Sequence, residues 1–401
     1  MLDTQQLKSI YNNEQVLLVL LTRLYFSTAE PSYAEDFIAN NSINWQLFQQ
    51  ILRAHGMRSF IYGVVVNHQL KLDEKLELNL KKRYSNNRLK NFNQIKATVE
   101  LVNEFKLKGI IAIPYKGAVF AQCYYTDVAL RESSDIDFMI SKRDVKAVED
   151  YFISEQYEAR TTVPRPYLNY YSNFFKDIVY YKEALVPASI EMHWRLVDRY
   201  AGNYPVYEFF ASHLINAPVG GLTVDKLSPT YDFLAVASNH FVKDMGIKFK
   251  YMVDMACMIK QEREELDLDV IIECARQYGF ENKLGVGLQL VDELLGIQLI
   301  GHRQQALLPE LLKTPLQYPI HLTRLYINEP AFLKRSLLLQ DNTWNKIKFI
   351  IRCFLYAFLP TYADINESKL PVYFLPVLIV TRPLRLIYQM LKPKKTFRDN
   401  L

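Results

Sequence analysis

The sequence predicts an α+β fold in which a small mixed sheet is flanked by helical regions on both sides. Apolar residues recur at helical spacing through residues 1–95 and again through residues 216–401. Between them, residues 96–215 contain short runs rich in β-branched and aromatic residues. We therefore expect an N-terminal helical region, a sheet-containing core and a C-terminal helical domain.

Length and composition favour a globular intracellular protein. A chain of 401 residues can bury a full core and form two or three domains. The net charge of +5 permits an anionic substrate without requiring a nucleic acid. The four cysteines show no C-x-x-C spacing, which disfavours a zinc site or disulfides and favours a reducing cytoplasm. We see neither an export signal nor about 18 consecutive uncharged apolar residues, so no stable membrane span is expected.

The helical region before the core has identifiable ends. Ser42 and Asn44 lie at the start of a run with helical spacing, and either is a candidate N-cap. A longer helical pattern, residues 72–108, ends at Gly109, which suits a C-cap. Its charged stripe is most simply a solvated helix face.

The core is expected to hold the strands. We place them near residues 110–114, 135–140, 177–183 and 189–196, with a short helix over 118–125. A second helix is predicted from the amphipathic pattern after Ser141.

The strand near residues 135–140 carries two acidic residues on one face. Strand side chains alternate, so Asp135 and Asp137 leave the same side while Ile136 and Phe138 pack behind them. Two such carboxylates repel unless a cation neutralises them, and Mg²⁺ or Mn²⁺ suits oxygen ligands. On this argument, removing the charge of Asp137 should not destabilise the metal-free protein.

By itself the acidic pair is a weak signal. An acid–apolar–acid triplet should occur about twice by chance in a chain of this composition. A second one, Asp267-Leu268-Asp269, precedes a helical pattern and is expected to be a helix start.

A second motif precedes the acidic strand. Lys116-Gly117 follows a strand and opens a helix, an arrangement in which free backbone amides and a lysine can hold a phosphate. The alternative is an ordinary strand-to-helix turn with an exposed lysine.

A third motif lies on the strand near residues 189–196. Alternation predicts that Glu191, His193 and Arg195 share one face, with Met192 and Trp194 on the other. A carboxylate in the middle of such a strand indicates a bound group, although lysine partners would also explain it.

Together these motifs resemble a known family. A Lys-Gly after a strand, Arg131 four residues before the Asp-x-Asp strand, and a Glu-x-His-Trp some fifty residues later are similar to the uncharacterised nucleotidyltransferase family of the DNA polymerase beta superfamily. The similar block spans about residues 110–260. The superfamily's usual Gly-Ser is replaced here by Lys116-Gly117.

The resemblance implies an activity and a site. A nucleoside monophosphate would pass from a nucleoside triphosphate, such as ATP, to an acceptor hydroxyl with release of pyrophosphate. Asp135, Asp137 and Glu191 would be the catalytic metal ligands for Mg²⁺ or Mn²⁺. Lys116, Gly117, Arg131 and Ser134 would bind the nucleotide. The acceptor would be a small molecule, a saccharide, a protein or an RNA.

Further polar residues are additional candidates for the site. His193 shares the strand with Glu191, while His240, Lys248 and Asp254 resemble polar positions in the helical part of the family. The alternatives are an inter-helix hydrogen bond for His240 and Asp254 and a solvated lysine at Lys248. Rival functions are a toxin-like modifier of RNA or protein and a non-catalytic nucleotide-binding protein.

The C-terminal region is apolar with basic flanks. Such a pattern can contact a membrane surface or a partner through an amphipathic face. Prolines at positions 360, 371, 376 and 383 interrupt it, which favours irregular packing on the helical domain.

Overall fold

The protein has the expected α+β architecture. A computed structural model describes residues 1–160, 162–182, 188–299, 307, 309–317 and 330–391. Within these ranges a small mixed sheet lies between helices from both ends of the chain, as the sequence predicts.

Six helices precede the sheet. They are α1 (Thr4–Ile10), α2 (Asn13–Phe26), α3 (Pro31–Asn40), α4 (Trp45–His55), α5 (Arg58–Asn67) and α6 (Glu74–Leu107). Of the two candidates, Asn44 caps α4, because its side-chain oxygen accepts a hydrogen bond from the Leu47 amide at 3.0 Å. Helix α6 continues past the expected boundary at residue 95, so the helical region and the core share it.

The core alternates short strands and helices. Its elements are β1 (Ile113–Pro114), α7 (Gly117–Tyr124), β2 (Ile136–Met139), α8 (Val145–Ser154), β3 (Glu158–Ala159), α9 (Leu168–Phe174), β4 (Asp177–Lys182), β5 (Ala188–His193) and α10 (Tyr207–Ala211). The five strands form one sheet in the order β1-β2-β5-β4-β3. Strands β2 and β5 are parallel, and the other pairs are antiparallel, so the sheet is mixed.

Three strands are shorter than the sequence suggests, although β2 (Ile136–Met139) loses only one residue at each end. β1 holds only Ile113 and Pro114, because the chain before it leaves the end of α6. β5 ends at His193, where the amides of Trp194 and Arg195 both donate to the Lys176 carbonyl, at 3.0 and 3.3 Å. Two residues facing one make a β-bulge, which redirects the chain. The predicted end of β4 at residue 183 lies outside the described residues.

A hairpin corrects the expectation that the chain becomes purely helical after residue 215. Strands β6 (Leu214–Val219) and β7 (Leu222–Leu227) pair in an antiparallel two-stranded sheet. Gly220 and Gly221 join them with φ of +58° and +82°. A Gly-Gly pair between two apolar runs is a hairpin signal, and it was missed because the flanking alternation is weak.

Helices form the remainder of the described chain. They are α11 (Pro229–Ala237), a π-helical segment (Ser238–Lys243), α12 (Phe249–Gln261), α13 (Leu268–Tyr278), α14 (Glu281–Leu295), α15 (Pro309–Leu312), α16 (Thr314–Gln317), α17 (Pro330–Leu338), α18 (Thr343–Tyr356), α19 (Tyr362–Ser368) and α20 (Leu375–Leu391). Asp267 caps α13 through the Val270 amide, so the second acidic triplet is a helix start, as predicted.

The described chain from Pro360 to Leu378 packs on the sheet-containing core: Tyr170 donates to the Pro360 carbonyl at 3.0 Å, and Ile365 and Leu378 join the apolar cluster behind the sheet. This corrects the expectation of irregular packing on the helical domain, although many side chains of α18 and α20 are exposed. Among the described helices, none is long and apolar enough to cross a membrane alone. Residues Tyr362–Ser368 and Val372–Tyr388 pass that test only as a pair bent by 115°. The basic residues after position 391 lie outside the described part of the chain.

Glu132 joins the N-terminal helices to the segment that leads into β2. Its carboxylate accepts bonds from Arg58 at 2.6 Å and Arg83 at 3.2 Å, and the Ser59 amide donates to it at 3.3 Å. Burial raises the pKa of Glu132, but Arg58 and Arg83 outweigh it and hold the pKa below its usual value. The ion pairs therefore stabilise the folded state when Glu132 is ionised.

We expect Glu132→Gln to lower the free energy of unfolding at pH 7 by about 2 kcal/mol, because both arginines lose their carboxylate. The folded-state pKa is depressed, so this contribution is present above the unfolded pKa of about 4.3 and is lost as the pH falls below it. Urea unfolding of wild type and variant from pH 7 down to pH 3.5 measures the difference.

Glu100→Gln is the matched control, since its pair with Lys96 is exposed on α6. It should change stability by a few tenths of a kcal/mol at most. Equal effects of the two substitutions at pH 7 would show that Glu132 does not join these elements.

Candidate metal and nucleotide site

The register of β2 and β5 places acidic residues side by side. Asp137 is paired with Glu191 across the parallel strands, and Met139 is paired with His193. His193 Nε2 lies 3.1 Å from Asp137 Oδ1 and 3.3 Å from Glu191 Oε2. One ligand atom from each of Asp137, Glu191 and His193 lies within 4.8 Å of the others, a spacing that could hold a metal ion. Asp137 and Glu191 therefore converge, as a shared site requires.

Asp135 lies at the open side of this cluster. It is half-buried and lines the same cleft as Asp137 and Glu191. Burial, reinforced by the charges of Asp137 and Glu191, raises the pKa of Asp135. The folded protein thus disfavours the negative charge of Asp135 in the absence of a further cation.

Asp137 behaves differently because it has cationic contacts. Lys116 Nζ lies 2.8 Å from Asp137 Oδ1, and both side chains are largely buried. Burial raises the pKa of Asp137, but Lys116 and His193 outweigh it and hold the pKa far below its usual range. The contact with Lys116 argues against the expectation that the charge of Asp137 could be removed without loss of stability, since Lys116 would lose its partner.

Glu191 is also held in its ionised form. Burial and Asp137 raise its pKa, while His193 and Lys116 lower it, with a net pKa of about 2. At neutral pH the cluster thus presents carboxylate oxygens rather than protonated acids.

Gly117 brings helix α7 against the acidic strand. Its φ of +68° is in the left-handed region, and a Cβ at this position would lie 2.9 Å from the Asp135 carbonyl oxygen. Only glycine satisfies both constraints. The close approach holds the N-terminus of α7 and Lys116 beside β2.

A buried ionic network links this part of the core to the C-terminal helices. Asp254 on α12 is fully buried and accepts two bonds from Arg131, from Nε at 2.8 Å and Nη2 at 3.0 Å. Tyr125 and His240 contact the same carboxylate at 2.5 and 2.9 Å. Arg131 also donates to the Gly117 carbonyl at 3.0 Å. The network therefore positions α12 and the π-helical segment against the sheet.

The helical side of the cleft is rich in lysine. Lys243, Lys248 and Lys250 line it, together with Asn239, Asp244 and Tyr251. Burial, with Arg131 next, lowers the pKa of Lys250 to about 8, and its Nζ donates to the Glu132 carbonyl at 2.7 Å. A lysine-rich wall opposite carboxylates suits a phosphate chain.

Sequence reasoning missed Lys243, Lys250, Asn239, Asp244 and Tyr251. A signal was present, because three lysines fall within eight residues around the Met245-Gly246 turn. A π-helical turn also marks this segment, and such turns often occur at functional sites. The turn depends on tertiary packing and is not visible in the sequence.

Most of the expected site residues meet at this cleft. The lining includes Lys116, Gly117, Arg131, Ser134, Asp135, Asp137, Glu191, His240 and Lys248. His193 and Asp254 lie behind it and contact lining residues. Ser134 is exposed, and the Arg131 guanidinium is bound to Asp254. Their roles toward a nucleotide, and those of the other residues, stay predictions.

Arg195 does not share the face of Glu191 and His193. The bulge after β5 interrupts the alternation, and Arg195 lines two neighbouring pockets instead. This corrects the expectation from strand periodicity.

We expect Gly117→Ala to destabilise the protein and disturb the acidic strand. Left-handed strain costs about 1 kcal/mol, and contact with the Asp135 carbonyl adds about 1–3 kcal/mol. Urea unfolding gives the stability, and the Mn²⁺-induced shift in melting temperature reports on the site.

Gly109→Ala is the control, since φ at Gly109 is +74° but a Cβ there would meet nothing within 4 Å. Gly109→Ala should lose only the stability that left-handed strain costs, and it should keep the Mn²⁺-induced shift in melting temperature. If both variants lose the same stability and keep the shift, the close approach of Gly117 does not matter to the site.

Comparisons with known proteins identify a family for this chain. Residues 41–296 match the family model described as an uncharacterised nucleotidyltransferase. A similar solved structure is the crystal structure of an antigenic nucleotidyltransferase-like protein from Paracoccidioides brasiliensis, with 12% identity and a TM-score of 0.32. That match covers 51% of this chain and 94% of the other. No curated protein matches the sequence significantly. Because the family match spans more than half of the chain, the protein belongs to the uncharacterised nucleotidyltransferase family.

Proposed function

We propose that this protein is a metal-dependent nucleotidyltransferase that moves a nucleoside monophosphate from a nucleoside triphosphate to an acceptor hydroxyl. The observation that supports it most is the convergence of Asp137 and Glu191 opposite a wall of lysines. Carboxylates suit divalent cations, and lysines suit phosphates. The lining of one cleft thus supports both parts of the proposed reaction.

The residues at the cleft fit Mg²⁺ or Mn²⁺. Asp135, Asp137 and Glu191 would hold the ions through carboxylate oxygens, which such hard cations prefer. Burial and the negative charges of Asp137 and Glu191 raise the pKa of Asp135. A bound cation would compensate this excess of negative charge around Asp135. When bound, the ions would supply charge neutralisation at the phosphates and a lower pKa for the acceptor hydroxyl.

The residues of the chain have separate tasks in this reaction. Lys116, Lys243, Lys248 and Lys250 bind the phosphate chain, and the backbone at Gly117 lets it approach α7. Arg131 acts through Asp254, because that pair holds the helical wall in place.

The transfer forms one bond to the α-phosphorus and breaks another. The acceptor oxygen forms a bond to the α-phosphorus, and the bond from that phosphorus to the oxygen bridging to the β-phosphorus breaks. Pyrophosphate leaves with the bonding electron pair. Glu191 orients the acceptor hydroxyl. Because the pKa of Glu191 is low, Glu191 does not keep the proton that the hydroxyl loses, and this proton ends in water.

Transfer from two labelled forms of ATP tests the reaction. With Mg²⁺ or Mn²⁺, label at the α-phosphate should appear on the acceptor, while label at the γ-phosphate should leave in pyrophosphate. Small molecules, saccharides, proteins and RNA are tested in turn as acceptors. Transfer of γ-label would instead indicate a phosphoryl transferase, and nucleotide binding without turnover in any mixture would favour the non-catalytic alternative.

We expect Asp135→Asn to separate catalysis from folding. Because the folded protein disfavours the charge of Asp135, its removal should leave the melting temperature of the metal-free protein unchanged or raise it. Metal-dependent transfer should fall by about 100-fold or more. The melting shift caused by Mn²⁺ should also decrease, since the ion loses a ligand.

Asp269→Asn is the control for charge removal, because Asp269 lies in the first turn of α13. It should keep transfer near the wild-type rate and cost a few tenths of a kcal/mol at most. If Asp135→Asn lowers the metal-free melting temperature and keeps the full Mn²⁺ shift, Asp135 is structural and the assignment is wrong.

A further inference from the structure

A second pocket lies between the chain after β5 and helix α18. It has a volume of about 610 Å³, within the range of small-molecule sites. Its lining combines arginines with aromatic and aliphatic side chains: Phe174, Arg195, Arg199, Tyr200, Gly202, Asn203, Arg352, Leu355, Tyr356, Phe358 and Leu359. We call it the arginine pocket.

The three arginines of this pocket have no carboxylate partner among the described residues. Arg352 donates to the Asn203 side chain at 3.3 Å, and Arg199 lies over the ring of Phe174. The Nε atom of Arg195 is buried and meets no hydrogen-bond acceptor in the described chain. The three guanidinium charges therefore have no described carboxylate at hydrogen-bond distance to balance them.

The electrostatics of the surroundings leave the pocket positive. No acidic residue is among its lining residues. Burial, followed by the charge of Arg199, lowers the pKa of Arg195, and burial lowers that of Arg352. Asp198 and Asp244 act on the lining Tyr200, and Asp198 and Asp364 act on the lining Tyr356. Asp364 is paired with Arg382 and Arg385, so Asp198 and Asp244 are left to offset part of the charge of the three arginines. An anion would be stabilised here.

The remaining walls are apolar and continue onto an exposed face. Tyr200 and Tyr356 meet edge to face, with ring centroids 5.0 Å apart. Leu355 lines the pocket although it is 56% exposed, and the neighbouring Ile351 and Phe354 of α18 are also exposed. A ligand whose head meets the arginines can therefore extend an apolar body along α18.

We propose that the arginine pocket binds an acidic amphiphile, a molecule with a phosphate or carboxylate head and an aliphatic or aromatic body. The arginines bind the head, and Tyr200, Tyr356 and Leu359 contact the body. This site is distinct from the carboxylate cleft and goes beyond nucleotidyl transfer. It binds its ligand whether or not the cleft is catalytic.

Calorimetric titration of the full chain, without metal or nucleotide, tests the proposal. The probe is octyl phosphate below its micellar concentration. Inorganic phosphate supplies the head alone, and octyl glucoside supplies an uncharged head with the same chain. Octyl phosphate should bind at least about tenfold more tightly than either, because each part contributes to affinity.

Arg352→Gln and Arg199→Gln should each weaken octyl phosphate binding about tenfold, through loss of a charge-assisted contact. Lys346→Gln is the matched control, because it removes an exposed charge from the same helix outside the pocket and should leave affinity within about twofold. Thermal melts confirm that each variant is folded. Asp135→Asn should bind octyl phosphate like wild type, which separates this site from the proposed catalysis.

Two results would overturn the proposal. One is the absence of octyl phosphate binding to the wild-type chain. The other is binding of equal affinity in both arginine variants and in Lys346→Gln, which would place the probe on the exposed apolar faces of α18 and α20 instead.

Discussion

Asp137 and Asp254 are buried carboxylates that keep their charge because a cation contacts each of them. Removal of an ionised acid from water costs several kcal/mol, and a hydrogen-bonded partner must offset it. Asp254 is completely buried and is held by Arg131, while Asp137 is held by Lys116. The first pair fixes the C-terminal helices to the core, and the second fixes the start of α7 to β2. The carboxylate side of the cleft and the contact between the C-terminal helices and the core therefore depend on the same kind of ion pair.

The sheet gives these charges their positions. The residues of β2 and β5 that face away from the cleft are apolar and fully packed, including Ile136, Phe138, Ile190 and Met192. This packing fixes the register, because a slip of one residue would bury the acids in the apolar cluster. Parallel pairing of β2 with β5 then sets Asp137 beside Glu191 without any contribution from a loop.

The sequence was sufficient for the parts that depend on local pattern. Helical spacing predicted the N-terminal helices, alternation predicted the inward and outward faces of β2, and the Lys-Gly motif predicted the start of α7. The lysine wall was not predictable in this way, because Lys243 and Lys250 reach the cleft through a π-helical turn and a long-range ion pair. Alternation also failed at Arg195, where a bulge depends on the neighbouring strand. Nor did the acidic spacing reveal that Lys116 would neutralise Asp137.

The charge balance of the cleft bears on how a nucleotide could enter it. Among its described lining residues, four lysines face four carboxylates, while Arg131 is paired with Asp254 behind them. The lining is thus close to neutral, and a triphosphate adds about four negative charges. Binding the nucleotide alone would set those charges against Asp135, Asp137 and Glu191 at short range. If the proposed reaction is right, nucleotide and divalent cations must bind together, and Lys116, with three donors, can serve a phosphate while it keeps its bond to Asp137.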